Sequence, residues 1–405
     1  MSTSNSTIAP RRPGDTIRSY EVLDQLSRPV DAGQSQVYLV RRRSSGQLPR
    51  DEVIAAIKSG QVDPRFIEEQ QVCVLKLAMP NWEDNLRLEY GYLLRFTSGG
   101  PLIELSGGFG PSSDPSRSGR RSYGEADLLD NAGARMTLPY ILTAFYPGGS
   151  LLHLLNREQR RPLPARFAVE VARQVAEALL LLQNYDIVHH DISPHNIVFR
   201  RPLDTPSETP DCVLIDFAAA AEPRAPRPIR SAGKQHYLPP QRLDQRAPLE
   251  LSWRIDLYGL GVVLYEMLAG ELPRRTDATG KMRPLPSITE HRQDLSPALA
   301  ALVNRTVSHD MRQWPASIQA FRDALDSLPE RRPAPAPPRP SWRIWASLGA
   351  GAAALLLGAA LAFGASSPPA PASTPATVEP TIALPTTRVP PTSTPTTVPT
   401  STPGR

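Results

Sequence analysis

The chain has 405 residues, 40% of them hydrophobic, with 45 prolines and a formal net charge of +5. That length allows two or three folding units, and the apolar share suffices for a sizeable core. Two cysteines exclude a disulfide-stapled secreted domain, and a mild arginine excess spread along the chain reads as a solvated surface rather than a nucleic-acid interface.

Residues 1–16 are polar, lack the apolar core of a secretory signal and are expected to be a disordered tail. Residues 17–328 then form the one expected globular unit, α+β, with a strand-rich first part and a helical second part. Val37-Tyr-Leu-Val40 and Val72-Cys-Val-Leu-Lys-Leu77 read as strands. Residues 41–70 are an insertion between them, partly helical through Val53, Ile54 and Ile57. Leu86, Tyr90, Leu93 and Leu94 have helical spacing over 81–96. Residues 107–136, rich in Gly, Ser and Arg, read as a long surface loop, and a strand follows from Tyr140 to Phe145. Phe167, Val171, Val175, Ala178 and Leu182 mark one helical stripe. Ile197-Val-Phe199 and Val213-Leu-Ile215 are short strands, and helices are expected over 256–269, 296–306 and 316–327.

Beyond 328 the composition changes. Residues 329–343 alternate proline with alanine and arginine, an extended spacer. Residues 344–365 carry no charge and are long enough to span a bilayer. Trp342, Trp345 and a cluster of arginines stand on the near side, which by the positive-inside rule places residues 1–343 in the cytoplasm. Small residues at every fourth position of the span, among them Gly358, suggest self-association through it. Residues 366–405, dominated by Pro, Ser and Thr, cannot bury a core and read as a disordered outer tail.

The sharpest chemical signal is Val188-His-His-Asp191-Ile-Ser-Pro-His-Asn196, followed by Asp216 in Leu-Ile-Asp-Phe-Ala. Both aspartates close apolar runs read as strands. Lys76, one of only four lysines, lies inside an apolar strand, where a charge is costly unless paired. These residues resemble the catalytic loop, the Asp-Phe-Gly element and the phosphate-binding lysine of protein kinases. Asp256-Leu-Tyr-Gly-Leu-Gly resembles the family's helix F, and the plan of kinase, Pro-rich linker, single span and outer tail resembles bacterial membrane-attached Ser/Thr kinases.

The resemblance implies a two-lobed kinase fold, small lobe about 17–143 and large lobe about 147–328, followed by the transmembrane helix and the tail. It implies ATP and Mg²⁺ as cofactors and protein substrates as partners. Asp191 would orient the attacking hydroxyl, Asn196 and Asp216 would hold the metal, and Lys76 would bind phosphates. Glu89 is the best-fitting partner for Lys76, with Glu83 as the other candidate. The nucleotide would also meet Gly33, Val37, Thr143, Ala144 and Tyr146. The sequence departs from the family in a glycine loop that keeps only Gly33, in Ala218, in His190 for an arginine, and in Ser193 for a lysine. Lys234 stands where a threonine is common, so the lysine and hydroxyl look exchanged, which makes Lys234 a catalytic candidate. An inactive kinase scaffold and a small-molecule phosphotransferase of the aminoglycoside-kinase type are the alternative readings.

Overall fold

The computed structural model describes residues 8–27, 35–96, 100, 102, 122–206, 209–223, 234–243, 253–272 and 282–331. Met1–Ala334 make one unit, and Pro335–Arg405, the other, lie outside the described residues. The expected span at 344–365, its self-association and the outer tail therefore fall outside them too. Among the described residues no helix is long and apolar enough to cross a membrane.

Six antiparallel strands come first: β1 (Thr16–Ile17), β2 (Tyr20–Gln25), β3 (Ser35–Arg42), β4 (Val72–Ala78), β5 (Tyr123–Leu129) and β6 (Arg135–Ala144), in the spatial order β1-β2-β3-β4-β6-β5. Two corrections arise here. The expected surface loop over 107–136 contains β5, whose Ala126 and Leu128 are buried against β6. The pairing also lengthens β6 backward to Arg135. The tail expected to be disordered over 1–16 packs from Ile8 onward: Ile8 is buried with Tyr38 and Val40, and the Gln36 amide donates to its carbonyl at 3.1 Å.

Register explains which side chains face the cleft. Opposed residues of an antiparallel pair share a sheet face. Val37 lies opposite Lys76, and Lys76 opposite Ile141, with Thr143 two residues on. Val37, Lys76 and Thr143 therefore share one face. The other face carries Tyr38, Leu75, Leu77 and Leu142 into a small-lobe core. The 41–70 insertion forms α1 (Arg50–Lys58) and α2 (Pro64–Glu69), and its Val53, Val62 and Ile67 pack on Leu23, Leu39 and Val72. Asp63 caps α2 and Pro64 opens it, a start signal readable in the sequence. Helix α3 (Glu83–Leu93) packs on the interior strands β4 and β6 with Leu86, Glu89 and Leu93 buried.

The helical part comprises α4 (Leu151–Arg157), α5 (Ala165–Asn184), the short α6 (Pro240–Leu243), α7 (Trp253–Ala269), the short α8 (Ile288–His291), α9 (Pro297–Thr306) and α10 (Ile318–Asp326). All five stripe residues of α5 are buried. Nearly all of α7 is buried, as expected of a helix apolar on every side. Gly261 lets α7 approach α9: a Cβ there would stand 2.5 Å from Thr306 Cγ2. Between α5 and α6 lie the paired strands β7 (Ile197–Phe199) and β8 (Cys212–Leu214). The run before Asp191 is not a strand, because Val188 makes only an isolated bridge to Ala221. Cys73 and Cys212 are both buried, and neither is in a disulfide.

Candidate active site

Lys76 sits where the cleft face of β4 meets α3. Its Nζ donates to Glu89 Oε1 at 2.9 Å and to Asp216 Oδ1 at 2.7 Å, with Glu89 Oε2 at ion-pair distance, 2.8 Å. Burial alone would lower its pKa, but the two carboxylates more than reverse that and raise it. Asp216 is half-buried, and its partial desolvation favours the neutral acid; the adjacent ammonium outweighs this and lowers its pKa to about 2. Burial raises the pKa of Glu89 in spite of Lys76. Glu83, the other candidate partner, opens α3 six residues before Glu89.

Asp191 and Asn196 form a second cluster. The Asn196 amide donates to Asp191 Oδ2 at 2.7 Å and to the Asp191 carbonyl at 2.8 Å. The Lys234 backbone N–H donates to Oδ1 at 3.1 Å, and its Nζ reaches Oδ2 at 3.2 Å and the Ser193 hydroxyl at 3.1 Å. The clusters are joined by backbone: Ile215 N–H donates to the Asn196 carbonyl at 2.9 Å, and the His189 ring meets the Ile215 carbonyl at 3.1 Å.

Two residues beside the aspartates lie in the left-handed region, His190 at φ 66° and Asp216 at φ 68°. Non-glycine residues there cost roughly 1–3 kcal/mol and persist only where their surroundings fix them. Asp256, at the start of α7, does this for His190: its two carboxylate oxygens accept the backbone N–H groups of His189 and His190 at 2.7 and 2.8 Å. Burial pushes Asp256 up to about 7 even so. Burial lowers His190 to about 3, so its imidazole is neutral. Phe217 is buried with its ring 5.0 Å from that of His189 and 5.3 Å from that of Phe96. Its backbone N–H donates to Glu89 at 3.2 Å. That packing turns Asp216 toward Lys76.

Thr143 is buried on the cleft face, Val37 half-buried, and Tyr146 has the Arg200 guanidinium 5.2 Å over its ring. Ala144 ends β6. Gly33 lies outside the described residues. Gly148 allows the crossing chain to lie against β7, since a Cβ there would meet the carbonyls of Arg201 and Phe199 at 2.3 and 2.4 Å. Gln241 donates to the His309 carbonyl at 2.6 Å and buried Trp314 to the adjacent carbonyl of Ser308 at 2.7 Å. Both side chains anchor on one turn.

Several contributors lie beyond what the sequence pattern indicates. Asp256 is readable as the first residue of the run that resembles helix F, but no local signal shows the two N–H groups it accepts. Glu266, near the end of α7, accepts from Tyr237 and from Arg160, each at 2.7 Å, and no local pattern pairs these three.

The donors present suit magnesium. Among the described residues, the Asn196 amide oxygen and Asp216 Oδ2 accept no hydrogen bond, and the Asp216 side chain is 40% exposed. Mg²⁺ takes oxygen donors, commonly one or two protein ligands plus phosphates and water. Among the described residues no three His, Cys, Asp or Glu side chains are grouped to hold a metal ion by themselves.

Residues 133–325 match the family described as Protein kinase domain. Fold and site together thus define a protein kinase fold of mixed strands and helices. Lys76 and Glu89 precede the matched region, so their place in the site rests on the geometry above. The chain is 30% identical over 221 residues to the serine/threonine-protein kinase pkn3 of Myxococcus xanthus, covering 51% of this chain and 39% of that protein. It is 33% identical over 162 residues to PknA of Corynebacterium glutamicum, described as serine/threonine-protein kinases, covering 39% and 31%. The chain spans less than two fifths of the length of these relatives. The solved kinase domain of Mycobacterium tuberculosis PknI, as a double mutant, superposes with a TM-score of 0.49 at 17% identity, covering 78% of this chain and 98% of that one.

Proposed function

We propose that the chain transfers the γ-phosphoryl group of ATP to serine or threonine hydroxyls of protein substrates. The observation that carries this reading is the joint assembly of Lys76, Glu89 and Asp216 with Asp191 and Asn196, all within hydrogen-bonding distance of their partners. Phosphoryl transfer needs positioning and charge stabilisation more than covalent help from the protein. Lys76, fixed by Glu89, holds phosphate charge at the sheet. Asp191, oriented by Asn196, aligns the acceptor hydroxyl and takes its proton. Asn196 and Asp216 would hold magnesium, which neutralises charge on the phosphates when bound with the nucleotide. Val37 and Thr143 flank Lys76 on the cleft face, where the nucleotide base would lie.

Phosphoamino-acid analysis tests the substrate class. The full chain, given γ-labelled ATP and a generic acceptor protein, should place label on serine and threonine. Label on an aminoglycoside instead would favour the small-molecule reading. No label on any acceptor would favour the scaffold.

The reading extends to a membrane-tethered signalling enzyme, with the catalytic unit in the cytoplasm and residues 366–405 outside. The uncharged run at 344–365, the flanking tryptophans and the arginine asymmetry support it. The full chain should then sediment with membranes after alkaline extraction, and a chain ending at Arg331 should not. Equal extraction of both would refute the tether.

A further inference from the structure

We propose that Lys234 is a second phosphate-binding cation of the site, acting on the transferred phosphoryl group from the side opposite Lys76. The inference rests on the kinase reading and adds a residue to it. A lysine ammonium has three N–H donors. Lys76 Nζ is held between Glu89 and Asp216, donating to Glu89 Oε1 and Asp216 Oδ1 with Glu89 Oε2 at 2.8 Å. Among the described residues Lys234 Nζ makes two contacts, to Asp191 Oδ2 and Ser193 Oγ, which leaves its third donor for a ligand.

Position supports the same role. The Lys234 side chain is 35% exposed beside an Asp191 side chain that is 16% exposed, so the ammonium is the more accessible partner of the pair. Its own backbone N–H is fixed to Asp191 Oδ1, which ties the base of the side chain to the reacting centre. Ser193 is fully buried and carries no charge. His190, next to Asp191, is neutral through burial. Lys234 and Lys76 are thus the ammonium groups that contact the carboxylates of the site.

The step balances without further reagents. The acceptor hydroxyl oxygen bonds to the γ-phosphorus and its proton passes to the Asp191 carboxylate. The bond from that phosphorus to the bridging oxygen breaks, and ADP keeps the electron pair. Lys234 takes no part in the proton transfer. Its spare donor binds an oxygen of the moving phosphoryl group, where charge sits in a partly desolvated site and a fixed cation acts most strongly.

The test uses the full chain in single-turnover transfer from γ-labelled ATP, with ADP affinity and the thermal midpoint measured alongside. Lys234→Ala should lower the transfer rate at least about tenfold, while ADP affinity and the midpoint stay near wild type. Ser193→Lys combined with Lys234→Thr, which moves the charge across the contact, should recover most of that loss. A wild-type rate in Lys234→Ala would overturn the proposal, as would a faster rate, which would make Lys234 a block on Asp191. Loss of rate with an equal loss of thermal stability and no recovery in the exchanged variant would show a tether of the loop and would also overturn it. Wild-type protein without any transfer would remove the kinase reading and this inference together. An active wild type with an unaffected Lys234→Ala variant would remove this inference alone.

Discussion

A lysine in an apolar strand demands carboxylates, and Lys76 has two of them. Removing it would leave Glu89, 4% exposed, as an uncompensated buried charge. Breaking a buried pair in this way costs about 3–5 kcal/mol. Lys76→Ala is therefore expected to lower the thermal midpoint clearly as well as to abolish transfer, whereas Lys76→Ala with Glu89→Gln should regain much of the stability and none of the activity. Calorimetry of the two variants checks this. Asp216 gives a pH signature. Its pKa falls from 3.8 to about 2 in the folded protein, because the Lys76 ammonium outweighs burial. The stability it contributes is thus complete above about pH 4 and is lost as pH falls toward 2. Wild-type protein should lose stability across that window more steeply than Asp216→Asn, as urea titrations at successive pH values would show. The residue chemistry is the most legible part of the sequence, because charges inside apolar runs require a reason. Lys76 stands out on that ground, and Asp191, Asn196 and Asp216 through their resemblance to the catalytic loop and Asp-Phe-Gly element of protein kinases. Glu89 is readable only as one of two candidates, since a helix can present either glutamate until its packing against β4 is known.

At the scale of elements, α7 acts through its first turn and its flat face. Asp256 holds the His189 and His190 N–H groups that shape the loop before Asp191. Asp256→Ala should cost about 1–3 kcal/mol for each buried N–H left without an acceptor, and should lower transfer by displacing Asp191. Amide hydrogen exchange at residues 189 and 190 would report it directly, and unchanged protection would contradict the role. Gly261 is a packing requirement rather than a flexible joint, given the 2.5 Å approach of a Cβ to Thr306. Gly261→Ala should destabilise by about 1–3 kcal/mol through overpacking, with transfer by the remaining folded protein near normal. Helix positions are legible because stripes such as that of α5 and caps such as Asp63 and Ser296 are local signals. Strand β5 is not: Tyr123-Gly-Glu-Ala-Asp-Leu-Leu129 has a weak alternation beside a glycine- and serine-rich stretch, and its pairing with β6 decides its state. The packing of Ile8 is hidden for a similar reason, as a lone apolar residue in a polar tail has no period to betray it.

Across the whole molecule, the site depends on groups far apart in sequence. Lys76 and Glu89 come from the sheet side, Asp191, Asn196 and Asp216 from the loops around β7 and β8, and Lys234 from the segment before α6. No single segment carries the chemistry, so the fold itself is the device that assembles it. The departures from the family pattern at Ser193 and Ala218 are compatible with an assembled site, since Asp191 is held by Asn196 and Lys234, and Asp216 accepts the Ala218 N–H at 3.3 Å. The central claim is that this assembly performs phosphoryl transfer. It is tested most directly by the rate of magnesium-dependent label transfer from γ-labelled ATP to a protein acceptor, compared between the full chain and its Asp191→Asn variant. A positioned proton acceptor contributes about 10²–10⁴-fold, so a measurable wild-type rate falling at least a hundredfold in the variant is the expected result. Equal rates in the two proteins, or no transfer by the wild type with saturating ATP and magnesium, would contradict it.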